Sequence, residues 1–346
     1  MKANAEIIGI SATVPEQKID LSTYEAVFGK KMVRRIKLAT GIHCVRAAPN
    51  HICASDMGYD AAERLLTEME FDRNRIGALV FVSQSPDYLL PATSCVLQHR
   101  LNLKTSVYTL DIPYGCSGFT YGVAQSAMII QSGIADFVLV IAGDTIERKV
   151  NVRDRASRML FGDGSAAALV SRSDQSCFGL FHTDGSGANA IIIPAGGARI
   201  PVSAETGLDE EDEDGNWRSR NNLYMNGGEV TKFAIDVVPQ MIENLLAGIG
   251  WSSDEVDCVL LHQASVLLIR NILKRAGLPE EKAPVCLKNY GNTSAASIPL
   301  AFIEEFRGRP AKPEKTIAVG FGVGLSCAGL AMNMSHVHVA GINEIA

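Results

Sequence analysis

Short apolar runs recur along this 346-residue chain, separated by segments with helical patterning and by no long low-complexity linker. "IGALVFVSQS", "SVYTLDIPYG" and "DFVLVIAGDT" read as buried strands, being mostly apolar and bounded by turn residues. The same order returns later as "VDCVLLHQAS", "APVCLKNYG" and "KTIAVGFGVG". Buried strands alternating with helices predict an α/β fold whose sheets are covered on both faces.

The two series can be laid side by side. Val80-Phe81-Val82-Ser83-Gln84-Ser85 resembles Val259-Leu260-Leu261-His262-Gln263-Ala264, at an offset of 179 residues. Tyr114-Gly115-Cys116-Ser117 resembles Tyr290-Gly291-Asn292-Thr293, at an offset of 176. Two short matches in one order at nearly one offset predict an internal duplication, with halves at residues 1–174 and 175–346. On this reading Cys116, His262 and Asn292 each follow a strand, at a strand-to-helix junction. Cys116 and Asn292 take equivalent places in the halves, and pseudo-twofold packing would bring such places toward one site.

Composition narrows the classes. A chain this long with 47% hydrophobic residues can bury a large core. It has no apolar run of membrane-spanning length, and "MKANAEIIGISATVPEQ" turns polar too early for a signal peptide. The eight cysteines form no CxxC pair or even framework, so reduced thiols in a cytoplasmic protein are expected. A net charge of -6 argues against a nucleic-acid surface over the whole molecule.

The stretch "GCSGFTYGVAQSAMIIQSG" concentrates the candidate chemistry. Gly118 and Gly122 permit close helix packing, and Gly133 suits a C-terminal cap. A thiol at the start of such a helix faces unpaired N–H groups and the positive end of the dipole, which favour thiolate. Taken singly, Cys116 reads as a packing residue, His262 as a satisfied strand-end histidine and Asn292 as a helix cap. Taken together they supply a soft nucleophile and two neutral donors, a set suited to acyl transfer through a thioester. The glycine-rich turn Phe321–Gly324 adds backbone N–H groups able to bind an oxyanion.

With "GCSGFTYG", "FGDGSAAALV", "MNGGEV", "LHQAS", "GNTSAASIP" and "GFGVGLS", the chain resembles the β-ketoacyl-acyl-carrier-protein synthase III family of the thiolase superfamily over nearly its whole length. The resemblance implies a thiolase-like five-layer αβαβα fold, a homodimer and a Cys-His-Asn triad of Cys116, His262 and Asn292. It further implies an oxyanion hole from the backbone N–H groups of Cys116 and Val323. The implied reaction is a decarboxylating Claisen condensation of an acyl thioester, held as acyl-Cys116, with malonyl-acyl-carrier protein. No metal or redox cofactor is implied; acyl-CoA or acyl-carrier-protein thioesters are the substrates, in fatty acid or related secondary-metabolite synthesis. A non-condensing acyltransferase using the same acyl-cysteine is the alternative. A silent partner subunit is a third reading, against which the intact triad argues.

The same resemblance implies substrate contacts from Phe161, Leu223, Met225 and Phe321, with Phe321 walling the site against water. Arg155 matches an adenine-stacking arginine. Arg35 stands where CoA-using members commonly have Trp, and Ala39 replaces their Arg, which puts acetyl-CoA use in doubt. Leu90, from the partner subunit, takes a place where Phe keeps the acyl pocket short. Lys232, Lys274 and Arg275 match basic positions that dock acidic acyl-carrier protein, with Arg270 nearby. Ser265 replaces the Asn of "HQAN", and Cys327 a common Trp. His336 and His338 suggest no third metal ligand, and Leu208–Trp217 reads as an exposed insertion rather than a calcium loop.

Overall fold

Alternate residues of the buried strands face two different cores, and this alternation builds the molecule. The computed structural model describes residues 1–346. The main sheet strands are β1 (Lys2–Pro15), β2 (Ala78–Val82), β3 (Tyr108–Ile112), β4 (Phe137–Asp144), β5 (Gly164–Thr183), β6 (Cys258–Leu261), β7 (Thr316–Gly322), β8 (Ser326–Met332) and β9 (His338–Ile345). The helices used below are α1 (Lys30–Thr40), α2 (Ala54–Glu68), α3 (Thr93–Arg100), α4 (Gly118–Gln131), α5 (Gly227–Ile249), α6 (Val266–Arg275) and α7 (Ser297–Phe306).

On β2 and β4, Ala78, Val80, Val82, Val138 and Val140 face inward to a central core with α4 and α7. Leu79, Phe81, Leu139 and Ile141 face the opposite way, onto α2 and α3. In the second half, Leu260, Ala318 and Leu330 share the central core. Val259, Leu261, Ile317 and Val319 instead meet α5 and α6. The result is five layers, αβαβα, with α4 and α7 in the middle. The period-two alternation of apolar side chains is what allows each strand to bury both faces.

Strand order repeats between the halves. In the first, β5 lies antiparallel between β1 and β4, and β4 continues parallel to β2 and then β3. In the second, β8 lies antiparallel between the end of β5 and β7, and β7 continues parallel to β6. The 20-residue β5 serves both halves: Gly164–Ser171 pairs with β4, and Phe178–Thr183 pairs with β8. The expected junction between residues 174 and 175 therefore falls inside one continuous strand. β9 adds to β1 in parallel.

One expected strand is not formed. "APVCLKNYG" runs as an irregular segment into a short helix, Leu287–Tyr290, so Asn292 follows a helical turn and not the strand expected before it. Its backbone is satisfied by a side chain instead of a neighbouring strand: Gln263 Nε2 donates to Pro284 O at 3.3 Å, and Gln263 Oε1 accepts from Cys286 N–H at 3.1 Å. The close packing expected of Gly118 and Gly122 is present, since a Cβ there would lie 2.6 and 2.8 Å from Val82 methyls.

Phe302 of α7 is fully buried in the central core between the two halves. Phe302→Ala should lower unfolding stability by about 3–5 kcal/mol, measured by denaturant titration. A loss below about 1 kcal/mol would mean that the middle layer does not anchor the fold.

Candidate active site

The turn between β3 and α4 carries Cys116 and is held from three sides. The Ser117 and Ser326 hydroxyls hydrogen-bond at 2.8 Å, fixing the helix start to β8. A Cβ on Gly115 would lie 2.1 Å from Gln84 Oε1. On β7, a Cβ on Gly320 would lie 2.7 Å from Ser117 Cα, and one on Gly322 2.8 Å from Cys116 Cβ and 3.0 Å from its Sγ. Gly322 also has φ +152. Any side chain at these two positions would push the cysteine away, so the glycine pattern of "GFGVG" is a packing requirement of the site.

His262 follows β6, and its backbone N–H donates to Val319 O at 3.0 Å. Its Nδ1 lies 2.7 Å from Ser297 Oγ. That hydroxyl accepts from Gln263 N–H at 3.4 Å, and no other acceptor takes its proton. The Ser297 O–H therefore donates to Nδ1, which leaves the proton of the neutral ring on Nε2. The edge of Phe321 meets the ring at 86°, with centroids 5.5 Å apart. Burial depresses the His262 pKa to about 3, so the imidazole is neutral at physiological pH.

Asn292 is held by its backbone: its N–H donates to Leu160 O at 2.8 Å, and its carbonyl accepts from Gly162 N–H at 3.0 Å. Its Oδ1 accepts from Ser294 N–H at 2.9 Å, so the amide turns its NH2 end toward the cavity. Cys116, His262 and Asn292 line one cavity of about 270 Å³. Phe161, Leu223, Met225, Phe321 and Val323 line it as well. The backbone N–H groups of Cys116 and Val323 donate to no backbone carbonyl, and both residues line the cavity.

The expectation that Cys116 rests as thiolate is corrected. Burial first, and the charge of Asp144 second, push its thiol up to about 12. The N–H groups and the Ser294 hydroxyl pull the other way and do not prevail. A protonated thiol at rest follows, because desolvation of a charge outweighs the amide dipoles here.

Other expected residues lie outside the cavity. Leu90 is 82% exposed on the loop before α3. Arg35 is exposed on α1, and the Arg155 guanidinium donates to the Asp214 carbonyl. Lys232 is exposed on α5, and Arg270, Lys274 and Arg275 on α6. Arg270 pairs with Glu280 at 2.9 Å and Arg275 with Asp236 at 3.7 Å, which leaves Lys232 and Lys274 without an acidic partner. α1 packs beside α6 and adds exposed Lys30, Lys31, Arg34 and Arg35 to that surface. His338 lies 3.6 Å from Glu68, and exposed Glu210–Glu211 pairs with Trp217–Arg218, which is half-buried beside buried Asn216, so the expected exposed insertion is only partly exposed. Sequence reading missed Ser294 and Ser297, for a serine run at a helix start carries no sign of what its hydroxyls will face.

Residues 110–196 match the family described as 3-Oxoacyl-[acyl-carrier-protein (ACP)] synthase III, and residues 246–334 match its C-terminal part. A β-ketoacyl-[acyl-carrier-protein] synthase III of Caldanaerobacter subterraneus subsp. tengcongensis is 32% identical over 343 residues, covering 96% of this chain and 99% of its own. One of Desulfitobacterium hafniense is 33% identical over 327 residues, covering 92% and 95%. The crystal structure of a 3-oxoacyl-(acyl-carrier protein) synthase from Burkholderia xenovorans superposes with a TM-score of 0.93 at 34% identity, covering 100% of this chain and 98% of that one. A priming β-ketosynthase of a polyketide biosynthetic pathway superposes at 0.82 with 25% identity, covering 96% and 97%.

The buried neutral state of His262 has a measurable consequence. An unfolded chain protonates this histidine near pH 6.5, whereas the folded protein resists until about pH 3. Between these values the unfolded state binds the extra proton, so this group removes stability as pH falls through the window. Subtracting the stability of His262→Asn from wild type should give a slope approaching about 1.4 kcal/mol per pH unit there. A difference that stays flat from neutral to acid pH would refute the neutral assignment.

Proposed function

The chain belongs to the 3-oxoacyl-[acyl-carrier-protein] synthase III family, and from that premise we propose a decarboxylating condensing enzyme that works through acyl-Cys116. One observation carries the residue assignment: a thiol, a neutral Nε2–H and a primary amide line the same cavity, beside two backbone N–H groups with no backbone acceptor. Cys116 attacks the carbonyl carbon of an acyl-CoA or acyl-carrier-protein thioester, and the oxyanion is held by the N–H groups of Cys116 and Val323. Collapse releases the donor thiol and leaves acyl-Cys116. A malonyl-acyl-carrier protein then enters and loses CO2. The enolate oxygen accepts from His262 Nε2–H and Asn292 Nδ2–H, and the carbanion attacks the acyl-cysteine, whose carbon–sulfur bond breaks to release the 3-oxoacyl product and a Cys116 thiolate that takes up a proton from solvent. Phe321, fully buried against His262, keeps water from the enolate.

The exposed cations of α1, α5 and α6 offer a docking surface for acidic acyl-carrier protein on a chain whose net charge is -6. A local basic patch offsets the repulsion between two acidic partners. A homodimer is supported by the free edge of β3, at one end of the sheet, next to the exposed Tyr88, Leu89 and Leu90. Leu90 touches no part of its own chain's cavity, so its role in closing an acyl pocket requires a second copy.

Cys116→Ala should form no acyl adduct yet retain residual malonyl decarboxylation. Asn292→Ala should still acylate but lose decarboxylation by about 100- to 1000-fold. Intact mass and CO2 release separate the two steps. An adduct discharged without CO2 release would replace condensation with simple acyl transfer, and wild-type decarboxylation by Asn292→Ala would remove its assigned role.

Donor choice tests the dimeric pocket. Leu90→Phe should slow acylation of Cys116 by medium-chain donors while sparing acetyl, in a graded way because each methylene is worth only about 1–3 kcal/mol. An unchanged chain-length profile would place Leu90 outside the acyl pocket.

A further inference from the structure

The condensing mechanism leaves one proton without a destination. Cys116 rests as a thiol, so its attack on a thioester needs an acceptor. His262 cannot serve, because its Nδ1 is occupied by Ser297 and its Nε2 already carries the ring's proton. Asn292 has no basic atom. One buried group remains unused. Asp144, at the end of β4, is fully buried. Its Oδ1 accepts from Gln84 N–H at 2.7 Å and from the Ser83 and Ser85 hydroxyls at 3.1 and 3.3 Å, and its Oδ2 accepts from Ala295 N–H at 3.4 Å. Between this carboxylate and the thiol stands Ser294. Its side chain lines the same cavity as Cys116, and the N–H of its neighbour Ala295 is the one bonded to Asp144 Oδ2. The Ser294 hydroxyl also stands 2.8 Å from where a Cβ of Gly115 would lie, beside the nucleophile's own turn. Ser294 has φ 51, a left-handed backbone that a serine adopts only under constraint. Its N–H is committed to Asn292, so the strained turn aims one residue's amide and hydroxyl at two members of the site.

We propose that Ser294 and Asp144 form a proton relay that activates Cys116, with Ser294 the catalytic residue and Asp144 acting through it. As the sulfur–carbon bond to the acyl group forms, the thiol proton passes to Ser294 Oγ and the Ser294 proton passes to Asp144 Oδ2. When the tetrahedral intermediate collapses and the donor's carbon–sulfur bond breaks, the proton returns from Asp144 through Ser294 to the departing thiolate. The donor leaves as a thiol and Asp144 is again a carboxylate, with no net proton gained or lost. Burial, which raises the Asp144 pKa, suits it to hold a proton transiently.

The inference rests on Cys116 as the acyl acceptor, and its test uses two readouts of the full-length protein: single-turnover acylation by an acyl thioester and alkylation by iodoacetamide, each followed by intact mass. Ser294→Ala should slow both by tenfold or more, within the range of a lost general base, and Ser294→Thr should restore part of the rate. Asp144→Asn separates a relay from a fixed charge by sign. A relay loses rate with the base, whereas a mere negative charge beside the thiol gains rate when it is removed. Faster alkylation by Asp144→Asn, or wild-type rates in Ser294→Ala, would overturn the proposal. If Asp144→Asn does not fold, because an amide NH2 would face Ala295 N–H, the Ser294 pair decides alone. A wild-type protein that takes no acyl adduct would sink the condensing-enzyme reading, and the alkylation rates would still test the relay.

Discussion

The site depends on the contact between β7 and the start of α4. Gly320 and Gly322 let the strand backbone lie directly against Ser117 and Cys116. This approach places Gly322 beside the sulfur and brings the turn that follows it, starting at Val323, to the same cavity. The same strand positions Phe321 on the opposite face, against the His262 ring. Strand alternation thus divides β7 between two tasks: the glycine face makes room for Cys116, and the apolar face packs against the His262 imidazole. Since α4 belongs to the first half and β7 to the second, Cys116 and Phe321 meet in one cavity only when the two halves are packed on one core.

Burial then sets the ionisation state of each group, with opposite effects by charge type. Removing water raises the Cys116 and Asp144 pKa values and lowers that of His262, because each neutral form is favoured. Neutral His262 is what an enolate donor requires. A protonated Cys116 is what a nucleophile must escape. Burial therefore suits the proposed carbon–carbon bond-forming step and burdens the proposed acylation step, and Ser294 lines the cavity in which that burden arises.

Much of this was legible from local pattern. The apolar runs identified β2, β4, β6 and β7, because a buried strand must be apolar on both faces, and also β3, which is a half-exposed edge strand and not the buried strand expected. The short matches at nearly equal offsets anticipated the repeated strand order, since equivalent strands meet equivalent neighbours. The glycines of "GFGVG" and of α4 were legible as close approaches, though not what they approach. The expected strand at Ala283–Cys286 failed because Gln263, distant in sequence, supplies the hydrogen bonds that a neighbouring strand would otherwise provide.

By itself the sequence determined the α/β class with sheets covered on both faces, the placing of Cys116 and His262 after strands, and the family resemblance, which alone implied the five αβαβα layers; the strand expected before Asn292 is a short helix. The class, the two placings and the resemblance follow from short-range periodicity and from residue identity. The tertiary structure alone decided that the thiol is protonated, that the His262 proton sits on Nε2, and that Ser294 and Ser297 serve the site. Ser297 is 35 residues from His262, and Asp144 is 151 residues from Ala295, whose N–H it accepts. Protonation and tautomer depend on desolvation and on hydrogen-bond partners brought together by folding, and neither quantity has a signature in the order of residues along the chain.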